Sequence, residues 1–360
     1  MNTEYISYIK RFIISIIMIV ITTVIGVLMN HLSNHLSNTL THSITNVFPM
    51  KNKSMNSYEK QIYETLVKGE DIIDRLDTIG GLDDIKDDLK SNVLLPLKHP
   101  VVFFSKESSI LRPSRGLLFY GPPGTGKTML ARAIAAEANV PFMSLSLSVL
   151  ENKYYGESNK LIQAIFSLGR KIQPCIIFFD EIDGLMKQRS EFDQSSVYGF
   201  KTELLSQIDG MDSKENDSIF VIGTTNNITI LDPAIKRRLP KVYEMKLPNE
   251  SDRFKILQLK TKQEKLSDDL LNWICQRTDK YSGSDLSELI RRASAYRLQE
   301  QCEDEQFKRQ LELATCVNDV FPLLNIKENH FRKALLAMGT QCEDIENSEE
   351  FDDEEEAPPE

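Results

Sequence analysis

The chain has 360 residues, 41% of them apolar, enough for one large or two modest domains with a sizeable core. Its net charge of −10 is concentrated at one end. Residues 343–360 carry eleven acidic groups and no basic one, so the rest is close to neutral and no nucleic-acid partner is expected. Five scattered cysteines, Cys175, Cys275, Cys302, Cys316 and Cys342, are odd in number and lack C-x-x-C spacing, which argues against a disulfide framework or zinc cluster and fits a reducing compartment.

Residues 1–11 form a short N-terminal segment. Residues 12–29, FIISIIMIVITTVIGVLM, hold no charge and would span roughly 27 Å as a helix, about the thickness of a bilayer core. Their β-branched content suits a bilayer helix. A cleaved signal peptide is the competing reading, but the run exceeds a usual h-region and no small-x-small cleavage site follows. The expectation is a retained single-pass anchor in the lipid bilayer. Lys10 and Arg11 precede it, which by the positive-inside rule places the N-terminus in the cytosol. The nucleotide chemistry below requires the opposite, a cytosolic main body, and is given precedence. Residues 30–76 read as a spacer, rich at first in Asn, Ser, Thr and His, with a linker helix expected over 51–76.

Residues 77–247 are expected to form an α/β domain. Its strands fall near 115–120, 141–146, 175–180, 219–223 and 242–247, parallel, with helices on both faces. Leu117–Tyr120 leads into Gly121-Pro122-Pro123-Gly124-Thr125-Gly126-Lys127-Thr128, and an alanine-rich helix follows from Met129. This is the phosphate-binding G-x-x-x-x-G-K-[ST] pattern in its strand–loop–helix context. The glycines let backbone N–H groups curl around phosphate oxygens at the positive end of the helix. Lys127 would reach the β- and γ-phosphates, and Thr128 would hold Mg²⁺.

The run Ile176–Phe179 is wholly apolar, as a central parallel strand should be, and Asp180 stands at its carboxyl end. Asp180 would join the Mg²⁺ shell, and the neighbouring Glu181 is the candidate base for the attacking water. The next strand ends in Thr224, Thr225 and Asn226, whose amide could orient that water. Arg237 and Arg238 follow, with no local carboxylate partner evident in sequence, and could stabilise charge on a transferring phosphoryl group.

Residues 248–340 read as a helical lid, within which 303–325 fits no regular helix. Residues 341–360 read as an acidic, self-repelling disordered tail. A further feature is ENKYYGES at 151–158, where Tyr154 and Tyr155 stand beside Gly156 in a polar run.

Together these motifs resemble the AAA family of ATPases, from DRLDTIGGLDDIKDDL at 74–89 to the helix near 327–338. TIGGL, TTNN and YSGSDLSELIRRA narrow the resemblance to the family proper. The adjacent arginines in KRRLP are similar to the branch containing katanin, spastin, the ESCRT-disassembly ATPase and the mitochondrial outer-membrane protein dislocases. A membrane span, a short spacer and one ATPase module are similar to the dislocases.

The resemblance implies ATP and Mg²⁺ as cofactors and a homo-oligomeric ring, usually a hexamer. Arg237 and Arg238 would act on a neighbour's nucleotide. Ile79, Gly80 and Met129 would contribute to the nucleotide pocket, and Asp285 would begin a lid helix with Glu288 three residues on. Tyr154, Tyr155 and Gly156 would form a channel loop that grips an extended polypeptide, with a second loop within 188–200. The implied activity is extraction of mislocalised tail-anchored clients from the mitochondrial outer membrane, and from peroxisomes, into the cytosol. Three departures stand out: Tyr154-Tyr155 replaces Trp-Tyr, and Val242 and Asn227 stand where relatives usually carry Arg.

Microtubule severing is the alternative reading, disfavoured by a short and weakly basic spacer. A membrane-anchored zinc protease needs H-E-x-x-H, which does not occur. A non-enzymatic tether would need a broken catalytic set.

Overall fold

A computed structural model describes residues 55–104, 113–146, 158–184, 195–213, 217–305, 307–308 and 324–340. The expected span 12–29, Tyr154–Gly156, most of 306–323 and the acidic tail lie outside these residues. Among the described residues no helix is long and apolar enough to cross a membrane.

Five parallel strands form one sheet in the order β2-β3-β4-β1-β5: β1 (Gly116–Tyr120), β2 (Phe142–Ser146), β3 (Cys175–Asp180), β4 (Ile219–Thr225) and β5 (Lys241–Glu244). The three central strands are apolar along most of their length, with polar residues only at their carboxyl ends, because helices cover both faces. Their side chains alternate. Leu117, Phe119, Ile176, Phe178, Phe220 and Ile222 enter one buried cluster, whereas Leu118, Ile177, Phe179 and Val221 enter the other. The first cluster is capped by α5 (Lys127–Ala138), the second by α6 (Ser158–Ile172) and α7 (Ser195–Ser213). Edge strand β5 ends at Glu244, short of the expected 247. Only Tyr243 on it is buried, so apolarity marks its limit poorly.

The expected linker helix is shorter than 51–76. Helix α1 spans Ser57–Glu64, with Asn56 and Glu59 forming a reciprocal capping box. Beyond it Val67 pairs antiparallel with Phe142, covering the β2 edge. Gly69 then passes so close to the Asn139–Val140 backbone that a Cβ would lie 2.7 Å from the Val140 nitrogen. By then α1 has already ended, and the chain runs through this contact as a single 3₁₀ turn, Gly69–Asp71. Short helices α2 (Asp83–Leu89), α3 (Leu95–Lys98) and α4 (Pro100–Phe103) precede β1.

Helix α8 (Pro233–Arg238) lies between β4 and β5, and the lid follows β5. The lid comprises α9 (Glu250–Lys260), α10 (Asp268–Arg277), α11 (Gly283–Gln301) and α12 (Glu328–Ala337). They bury a separate cluster that includes Leu257, Ile274, Leu286, Leu289, Phe331 and Leu335. Helix α11 does not begin at Asp285. Ser282 is its N-cap and Asp285 is the reciprocating third residue, while Glu288 pairs with Arg291 and Arg292. Serine at this position satisfies two orphan amides with its partner, which displaces the start by two residues.

Candidate active site

The site lies at the carboxyl ends of the strands. The chain turns at Gly121, whose φ of 143° and 2.1 Å approach of a would-be Cβ to the Met245 carbonyl oxygen exclude a side chain. Gly124 and Gly126 also have positive φ. Helix α5 starts directly at Lys127 without a side-chain cap, leaving its first amides pointing at the loop. The Lys127 ammonium folds over this loop, donating to the Gly121 and Pro122 carbonyls at 2.9 and 2.8 Å. Burial lowers its pKa, and Asp180, Asp183 and Glu181 partly oppose that.

Asp180 ends β3 beside the end of β4. Thr128 Oγ1 donates to Asp180 Oδ2 at 3.1 Å, and Thr224 Oγ1 donates to Asp180 Oδ1 at 2.5 Å. The same Thr224 hydroxyl accepts the Glu181 N–H at 3.0 Å. Glu181 is left-handed, with φ of 50°, a conformation that costs a non-glycine residue about 1–2 kcal/mol. Thr224 thus holds both carboxylate-bearing residues, a role not visible in a sequence where threonine at a strand end is ordinary.

These groups share a cleft of 950 Å³, within the ~300–1,000 Å³ of small-molecule and cofactor sites. It is lined by Ile79, Gly80, Pro123–Met129, Asp180, Glu181 and Asn226. Gly121 and Pro122 stand behind the lining as acceptors for Lys127. Gly80 backs onto α9, where a Cβ would meet the Ile256 nitrogen at 2.6 Å. The lid closes on the loop directly, since Ser284 N–H donates to the Gly124 carbonyl at 3.2 Å. Gly283, Ser284 and Ser287 of α11 also line the cleft. Their contribution was hidden in the sequence because it depends on how the lid docks.

A carboxylate and a hydroxyl held 3.1 Å apart beside a lysine and exposed helix amides fit a divalent cation with a polyphosphate. The donor set is oxygen-only, which suits a hard cation such as Mg²⁺.

Arg237 and Arg238 do not line this cleft. They end α8, which Asp232 caps by accepting the Ala234 N–H at 2.8 Å. Arg237 is exposed and makes no ion pair among the described residues. Arg238 differs from the sequence expectation, because it has a local carboxylate. Asp209 on α7 takes its Nε and Nη2 at 2.7 and 2.5 Å. The partners are 29 residues apart and meet only because α7 packs beside α8.

Tyr154, Tyr155 and Gly156 lie outside the described residues, immediately before α6. The stretch 188–200, expected to be a channel loop, is helical from Ser195 onward. Asn227 caps a local turn through Thr229, and Val242 is exposed on β5.

The profile of the ATPase family associated with various cellular activities (AAA) matches residues 117–247. A relative from Danio rerio named outer mitochondrial transmembrane helix translocase is 40% identical over 257 residues, covering 71% of this chain and 67% of its own. The Homo sapiens protein of that name is 42% identical, with 68% of each chain covered. Among solved structures, the FIGL-1 AAA domain in complex with ADP superposes with a TM-score of 0.65 at 28% identity, covering 85% of this chain and 98% of that one.

Proposed function

This chain belongs to the AAA family of ATPases, and from that premise we propose that it is a membrane-anchored ATPase that extracts tail-anchored proteins from the mitochondrial outer membrane. The observation that carries the catalytic half is the Thr128–Asp180–Thr224–Glu181 chain at the mouth of the phosphate loop. The dislocase half rests on the relatives' name, on the apolar run 12–29, and on the paired tyrosines before α6.

In this reading Ile79, Gly80 and Met129 receive the adenosine, and the loop Gly121–Thr128 cradles the phosphates. Mg²⁺, held by Thr128 and Asp180, would neutralise charge on the β- and γ-phosphates. Lys127 donates to the same oxygens in place of the loop carbonyls. Glu181 accepts a proton from the attacking water, which Asn226 helps to orient. The Thr224 bond to the Glu181 amide fixes where that carboxylate is aimed. Arg237 supplies a donor to the phosphoryl group of a neighbouring copy, so the working form is a ring, proposed to be a hexamer. Tyr154, Tyr155 and Gly156 would grip the client, since aromatic contact depends little on sequence. The ATPase module would face the cytosol; a peroxisomal pool is compatible with the same chemistry.

Substituting Glu181→Gln in the full chain should keep ATP binding and assembly while arresting turnover. Crosslinking of that variant in cells should capture membrane proteins with a single C-terminal helix. Recovery of tubulin and no membrane protein would favour severing instead.

A further inference from the structure

The Ile79–Gly80 peptide borders the cleft, and a cation from outside the cleft holds it. Ile79 and Gly80 both line the cavity, whereas Lys86 of α2 does not. The Lys86 ammonium reaches back seven residues and donates to the Ile79 carbonyl. Its side chain is 11% exposed, and its ion-pair partner Asp83 stands 3.9 Å away. Asp83 is itself taken by Lys255 of α9 at 2.6 Å. The carbonyl is thus the closest partner of a cation drawn largely out of water, where an unused donor is costly.

The peptide is trans, so its C=O and N–H point in opposite directions. With the carbonyl turned to Lys86, the Gly80 N–H is turned away from it, and among the described residues that N–H has no partner. A flip of the plane would exchange the two groups. It is cheap before a glycine, which has no Cβ to oppose the flipped form.

We propose that Lys86 is a positioning residue that locks this peptide with its N–H toward the cleft and so sets the choice of purine. An N–H complements a purine whose N1 is a bare acceptor, as in adenine. It opposes one whose N1 carries hydrogen, as in hypoxanthine and guanine. The flipped plane would offer the carbonyl and admit the second kind. Lys86 acts through the Ile79 carbonyl and not on the base, and its role rests on the adenosine placement proposed above.

The test is displacement of a fluorescent methylanthraniloyl-ADP from the full chain in detergent by ADP, inosine diphosphate and purine riboside diphosphate. None has a γ-phosphate to lose. Hypoxanthine reverses the hydrogen bonding at N1 and C6 without adding the 2-amino group of guanine. Unsubstituted purine keeps the N1 acceptor and drops only the 6-amino group. Wild type should bind ADP about tenfold or more tighter than inosine diphosphate, the effect of one unmet buried polar group. Purine riboside diphosphate should stay close to ADP. Lys86→Met, similar in length and without a donor, should weaken ADP and bring the two nucleotides within about twofold of each other. Lys86→Arg, which restores a cationic donor, should return most of the preference.

A Lys86→Met protein that keeps the wild-type preference overturns the inference even if both nucleotides bind more weakly, since loosened structure alone would weaken them together. So does wild-type binding of the two within twofold, or a preference that Lys86→Arg leaves collapsed. Wild-type protein that fails to bind the fluorescent ADP at all counts against the nucleotide site itself, a result distinct from the other three.

Discussion

At the end of β3 two carboxylates stand next to each other with different duties, and one hydroxyl separates them. Thr224 Oγ1 binds Asp180 on one side and the Glu181 amide on the other, at 2.5 and 3.0 Å. Replacing it by valine keeps the shape and removes both bonds. An unmet buried polar group costs about 1–3 kcal/mol, which corresponds to roughly 5–150-fold in rate if it is expressed in the transition state. Thr224→Val should therefore lower kcat by that factor with a smaller change in KM, and Thr224→Ser should recover most of it. Unchanged kcat would remove Thr224 from the account. The pattern G-x-x-x-x-G-K-T and the pair Asp180–Glu181 were legible in sequence because their chemistry is local. Thr224 was seen only as a strand end. Asp209 gave no signal, since its partner lies 29 residues away and is met through packing.

Among the elements, helix ends carry much of the placement. Ser282 caps α11 through the Asp285 amide, and Asp285 returns the bond to the Ser282 N–H at 2.8 Å. The same serine abuts Gly124, where a Cβ would lie 2.4 Å from its Oγ. Ser282→Ala should cost about 1 kcal/mol, measurable by chemical denaturation, and should loosen the lid against the phosphate loop. Helix α1 is held by a more buried contact. Glu59 is 1% exposed and meets Lys171 of α6 at 2.6 Å and Ser167 at 2.8 Å. Burial raises the Glu59 pKa, but the bonds from Lys171, the Asn56 amide and Ser167 outweigh it and hold the carboxyl below its ordinary value. A depressed carboxyl stabilises above its unfolded pKa, about 4.3, and that contribution is lost as pH falls through the folded value. Hydrogen exchange in α1, taken relative to the intrinsic amide rate at each pH, should thus be flat from neutral pH to mildly acidic conditions and rise only below the ordinary carboxylate range. Glu59→Ala should raise it at neutral pH. Protection of α1 unchanged in Glu59→Ala would show that the helix is held by its apolar contacts, Ile62 with Tyr58 and Leu66, and not by the Glu59 bonds. The central strands were readable from their apolar runs, and β5 and the linker helix were readable as elements but not in their limits. An edge strand buries little, and the turn at Gly69 answers to a backbone contact with Asn139–Val140 that no local pattern announces.

For the whole molecule, sheet order, lid and cleft follow from parallel apolar strands feeding helices on both faces, and they bring the phosphate loop, both carboxylates and Asn226 to one cavity. The arginines lie off that cavity, which is the arrangement a neighbouring copy would complete. Turnover should accordingly rise steeply with protein concentration before it saturates. The central claim is that ATP hydrolysis is converted into removal of a helix from a bilayer. It is tested most directly by co-reconstituting the full chain in liposomes with a fluorescent protein bearing one C-terminal apolar helix, and measuring label released to the buffer. The account predicts release that requires ATP, and that disappears in Glu181→Gln and in the Tyr154→Ala, Tyr155→Ala double variant. Brisk ATP hydrolysis with all of the label still in the membrane would contradict it.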